Sequence, residues 1–144
     1  MAMTYGQNTT AVIYKVENQS NAVCSLTVDP FVKFGPKETA IKAAPNISFS
    51  QGKVMGDKYP LHISTTAALR ETPVCSQMLA YPEDSKDGRP GQGVAACVCR
   101  AEIAVESGQT REFSIIFSNR RQFLTAEEIV STQLRHQGEL ESRA

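Results

Sequence analysis

Four cysteines and two histidines hold most of the reactive chemistry in this chain of 144 residues. Cys97-x-Cys99 sets two thiols two positions apart in an alternating run, with Cys75 upstream and Cys24 near the N-terminus. A structural metal site needs about four N or S donors. Cys75, Cys97, Cys99 and His62 could be gathered into such a set, but their spacing does not demand it. A Cys-His pair could also make a nucleophile, yet no local motif accompanies it. The expectation is therefore no metal and no cofactor, with the thiols either reduced or crosslinked. GRPGQG precedes a strand instead of opening a helix, the wrong context for a phosphate loop. Glu127-Glu128 suits a helix N-terminus better than acid-base work.

A second set of residues is polar and regular. In NISFSQ, residues Asn46, Ser48 and Ser50 share one face of a strand, and Ile47, Phe49 and Gln51 share the other. In KYPLHIST, Lys58, Pro60, His62 and Ser64 alternate with Tyr59, Leu61, Ile63 and Thr65. One face is thus apolar, and the other carries Asn, Ser, Lys and His. Such a face is either an ordinary solvated surface or a flat hydrogen-bonding platform suited to single-stranded nucleic acid, with Lys42, Lys53 and Lys58 supplying local charge.

The elements that must position these residues follow from hydrophobic periodicity. TAVIYKVEN and AVCSLTVDP, joined by polar turn residues, predict an N-terminal β-hairpin. KETAIKA reads as a strand, and NISFSQ and KYPLHISTTAAL as a hairpin turning at GKVMGD. Residues 70–93 are dense in Pro, Gly, Asp and Ser and predict a long loop. VAACVCRAEIAVE and REFSIIFSN alternate again as two strands across a turn or bulge at SGQT, and a bulge at Gly108 would instead make residues 94–118 one long bent strand. Thr125 and Glu128 form a capping box for a C-terminal helix with Ile129, Val130 and Leu134 on one face. This order predicts an α+β fold, one domain over residues 1–144, with the helix on the apolar side of the sheet and the polar face open.

Composition narrows the function. Lys plus Arg and Asp plus Glu are 15 each, so there is no global basic field for non-specific nucleic-acid binding. There is no apolar run long enough to span a membrane. MAMTYGQNTT lacks the charged start and apolar core of a secretory signal, so a cytosolic chain with reduced thiols is expected.

ISFSQGKVMGDKY resembles the central hairpin of single-stranded RNA bacteriophage (levivirus) coat proteins, with Ser48, Gln51, Lys58 and Tyr59 at matching places. The element order is similar too: hairpin, sheet, variable loop, long strand, helix. The resemblance implies an antiparallel sheet of about five strands and an interlocked dimer. It implies a capsid protein that self-assembles into an icosahedral shell, made in the bacterial host cytoplasm and located in the virion. Its partners would be itself and a single-stranded RNA hairpin, with translational repression as a consequence, and no membrane. RNA would lie on Asn46, Ser48, Ser50, Lys53, Lys58 and His62. Cys75, Cys97 and Cys99 would be candidates for inter-subunit disulfides. Two other readings stand beside it: a non-assembling α+β protein-binding module, and a cysteine-dependent enzyme using Cys97 or Cys99.

Overall fold

The computed structural model describes residues 2–3, 8–34, 46–56, 60–121 and 125–143. The predicted KETAIKA strand, Lys42, Lys58 and Tyr59 lie outside them. The strands are β1 (Ala2–Met3), β2 (Thr9–Glu17), β3 (Cys24–Val28), β4 (Ser48–Ser50), β5 (Lys53–Met55), β6 (Pro60–Thr65), β7 (Ala68–Ala80), β8 (Gln92–Val105) and β9 (Thr110–Ser118). The helices are α1 (Pro82–Lys86) and α2 (Ala126–Arg143).

These strands build two antiparallel sheets, one of six strands in the order β1-β2-β9-β6-β5-β4 and one of three in the order β3-β8-β7. The alternation on each strand sends its apolar residues between the sheets. Val54, Ile63, Phe113 and Ile115 from the larger sheet meet Val98, Cys99, Ala101 and Ile103 from the smaller one in a single core. Tyr14 stacks on Phe113 within it, ring centroids 4.8 Å apart. The α+β reading holds at the level of a mostly antiparallel protein with a C-terminal helix.

The N-terminal hairpin is corrected. β2 does not pair with β3; it pairs with β9 from Thr9↔Ser118 to Glu17↔Thr110, while β3 pairs with β8 from Cys24↔Val105 to Val28↔Ala101. Residues 9–28 and 101–118 therefore run side by side as one ribbon that bends from one sheet into the other. Asn18, 4% exposed, fastens the bend. Its side-chain amide donates to the carbonyls of Ala22 (2.7 Å) and Val105 (2.8 Å), and its Oδ1 accepts from the Ser20 amide (2.9 Å). Opposite it, Gly108 takes φ +70°, a backbone state that glycine adopts without steric cost. The chain turns at Gly108 and passes from one sheet to the other as two strands, β8 and β9, so the reading of residues 94–118 as one long bent strand is corrected.

Residues 70–93 are also corrected: most of the predicted loop is β7 and its hairpin with β8. β7 is an edge strand and largely exposed, so its polar composition hid it. Pro73 is tolerated because it falls where the ladder is broken, between Glu71 and Cys75. The tight turn of the β4–β5 hairpin is Gln51-Gly52, with φ +48° and +76°, instead of the whole GKVMGD stretch. Positive φ at both central residues is the two-residue type I′ signature.

The helix starts as its cap predicts. The Glu128 carboxylate accepts from the Thr125 amide at 2.6 Å, and the Thr125 hydroxyl accepts from the Glu128 amide at 3.2 Å. Ile129 is buried against Ala11 and Ile116, with Val130 at the margin, but Leu134 is exposed. Ala11 and Ile116 belong to the outer face of the six-stranded sheet, the face of His62 and Ser118. The smaller sheet occupies the apolar side that the helix was expected to cover. α2 lies instead over the β1–β2–β9 end of the other face.

Candidate binding site

With α2 over one end, the β4–β5–β6 end of that outer face is left uncovered by the described residues. Directly paired residues of antiparallel strands stand side by side on one face. The register Ser50↔Lys53, Lys53↔His62, His62↔Ser118 and Ser118↔Thr9 therefore sets five polar residues in a row across five strands. Ser50 and Lys53 are exposed, His62 is half-buried, and Ser118 and Thr9 are buried and hydrogen-bonded to each other at 2.9 Å. Of the residues expected to share a polar face, the structure brings Ser48, Ser50, Lys53 and His62 together. Asn46 precedes β4 and is exposed.

The row leads into a cleft of about 230 Å³ lined by Gln51, Gly52, His62, Ile63, Ser64, Ile116, Ser118 and Arg121. Gln51 and Gly52 reach it through the type I′ turn, which is tied to β6 by the Ile63 amide donating to the Gly52 carbonyl at 2.7 Å. Burial holds the His62 imidazole below its ordinary pKa, and the nearby cations Lys53 and Arg121 push it further down. Near neutral pH the ring is therefore uncharged, with one nitrogen donating and the other accepting. Amide, imidazole, hydroxyl and guanidinium groups converge over Ile116, while the Ile63 side chain turns into the core on the other face of β6. Among the described residues, no carboxylate lines the cleft.

Sequence reading missed Ser118, because the pairing of β6 with β9 is not written in the periodicity of either strand, and it read Arg120-Arg121 as a solvated turn or a phosphate contact without placing Arg121 beside His62. It also missed a second hollow of about 390 Å³ on the other side of Ser118. That hollow has an apolar floor of Phe34, Pro60, Leu61 and Phe117 and a rim of Asn8, Thr10, Lys33 and Asn119.

The thiols make no metal centre: among the described residues no group of three or more His, Cys, Asp or Glu side chains could hold an ion. Cys75 is exposed, whereas Cys97 and Cys99 are buried, so only Cys75 of the three stands where a second chain could reach it. Burial, first of all, pushes the Cys99 thiol up to about 12 and raises that of Cys97. Neither is poised as a thiolate nucleophile.

No curated protein and no solved structure matches the chain. A family model does, over residues 1–112, and it describes the N-terminal part of glycogen debranching enzyme. The match overturns the resemblance to levivirus coat proteins, which rested on a short hairpin and an order of elements. The capsid function, the RNA-binding inner face and the virion location drew on that resemblance, and they fall with it; the match points to a cellular protein. Ser50, Lys53 and His62 lie inside the matched segment, and Ser118 and Arg121 beyond it. By that match the chain belongs to the glycogen debranching enzyme N-terminal family.

Proposed function

We propose that this domain is a non-catalytic glucan-binding module that seats part of an α-glucan chain in the cleft beside His62. The observation that carries the reading is the convergence of Gln51, His62, Ser64, Ser118 and Arg121 around Ile116. A sugar ring offers hydroxyls that both donate and accept, and a largely apolar face of C–H groups. Neutral imidazole and primary amide meet the first need because each does both. Ile116 meets the second. Such a division, apolar lining with a few placed polar groups, is the usual build of a small-molecule site.

The chemistry of the described lining favours binding over catalysis. Glycoside hydrolysis generally uses two carboxylates flanking the scissile bond, and among the described residues the lining of this cleft includes none. Cleavage in a family named for a debranching enzyme would then belong to other parts of such an enzyme. The exposed Ser50 and Lys53 extend the row outward, where a longer chain would continue.

Calorimetric titration with maltoheptaose tests this. The expected result is saturable binding that weakens about 3- to 10-fold in His62→Ala and in Gln51→Ala, the loss of one net hydrogen bond each. Cellohexaose, with its different linkage, serves as the control. Absence of binding at millimolar maltoheptaose, or unchanged affinity in both variants, would overturn the proposal.

A further inference from the structure

Cys75 and Cys97 stand directly opposite each other in the β7–β8 ladder. Opposed residues of antiparallel strands have Cα atoms about 4.5 or 5.5 Å apart, depending on the pair type. Both values fall in the range of about 4.4–6.8 Å spanned by disulfides. The pair also marks a special place in the ladder. Pairing is regular through Glu71↔Cys99, breaks, and resumes at Cys75↔Cys97, so residues 72–74 face Val98 alone. The two thiols differ in access: Cys75 is exposed, and Cys97 is 4% exposed, with its Sγ hydrogen-bonded to the Cys99 carbonyl at 3.0 Å. Cys99 sits in the core opposite Glu71, and Cys24 on β3 is hydrogen-bonded at the Asn18 corner, so neither competes for Cys75.

We propose that Cys75 and Cys97 form a reversible intrachain disulfide by exchange with a low-molecular-weight disulfide, clamping the ladder where its register resumes. The accessible Cys75 gives up its proton, and its thiolate attacks one sulfur of the small disulfide. That S–S bond breaks, one small thiol leaves, and Cys75 carries a mixed disulfide. Cys97 then loses its proton and attacks the Cys75 sulfur, releasing the second small thiol. The protein loses two electrons and two protons, and the small disulfide gains them. Burial of Cys97 raises its thiol, which makes the second step the slow one. The product ties β7, an edge strand with few other anchors, to the central strand of its sheet.

The test treats the folded protein with oxidised glutathione, blocks remaining thiols by alkylation under denaturing conditions, and maps tryptic peptides. The expected product is peptide 71–86 joined to peptide 87–100, with fragmentation placing the link between Cys75 and Cys97. Cys24 and Cys99 should be recovered alkylated, and dithiothreitol should restore all four thiols of the chain. Cys97→Ala should instead accumulate the glutathione adduct at Cys75, and Cys99→Ala should leave the link intact. A wild-type protein that stops at the Cys75 adduct, links Cys75 to Cys99, or joins Cys75 between two chains would overturn the proposal. The wild-type map decides this by itself if a variant fails to fold.

Discussion

At the scale of single residues, the Asp29–Arg100 pair is the clearest electrostatic feature outside the cleft. Arg100 Nε and Nη2 meet the two carboxylate oxygens of Asp29 at 2.6 and 2.7 Å, a bidentate geometry. The Arg100 hydrogen bonds hold the Asp29 carboxyl below its usual range. A depressed acid contributes stability that is fully present above its unfolded pKa of about 4 and is lost as pH falls through the lower folded value. Both side chains are about a third exposed, so solvent screens the pair and the effect is modest. Asp29→Asn should therefore lower stability at neutral pH and flatten its decline below about pH 4, measured by urea unfolding across pH. An unchanged acid limb would show that the pair contributes nothing. His62 runs on a different window. Its folded pKa lies below the ordinary His value, so stability is complete above about pH 6.5 and falls as the ring is forced to protonate. Individual side chains were legible in sequence by type and face. The partners Arg100, Ser118 and Arg121 were not, because they arrive from strands distant in the chain.

Elements were legible where local chemistry writes them. Alternation marked β2, β3, β6, β8 and β9, and the Thr125–Glu128 box marked the start of α2. Alternation says which side chains share a face, though, and not which strand lies alongside, so the β2–β3 hairpin was inferred where a bent ribbon exists. β7 was missed because an exposed edge strand need not bury either face. The β4–β5 turn is the element on which the cleft depends. Gly52 has φ +76°, and a Cβ there would come within 2.8 Å of the Ile63 carbonyl oxygen. Gly52→Ala should cost about 1–3 kcal/mol from the backbone state alone. It should also displace Gln51 and weaken maltoheptaose binding. Thermal unfolding and titration of the same variant check both, and a variant as stable as the parent would refute the strain.

At the scale of the whole molecule, two sheets share one core and one pair of corners joins them. The Asn18 amide group, buried and bonded across that corner, holds β2 and β3 on one strand path and the end of β8 on the other. Asn18→Ala leaves the Val105 carbonyl without that donor, at a cost of about 1–3 kcal/mol. The expected outcome is a lower urea midpoint with unchanged slope, since the fold loses stability without changing the surface it exposes. A changed slope would mean that the two sheets no longer unfold together.

The ribbon also has a consequence in time. β2 leaves the ribosome roughly a hundred residues before β9, its partner along its whole length, and at about 5–20 residues per second that is a wait of roughly 5–20 s. During that interval β2 has only the short β1 beside it, on one edge, and β6 also lacks the strand that will join it to β2. The larger sheet, its cleft and the seat for α2 all come into being at once, when the ninth strand slides between two that were made long before it. Until then the free edges of β2 and β6 stand ready to pair with other strands, so the nascent chain is at its most aggregation-prone before β9 is made.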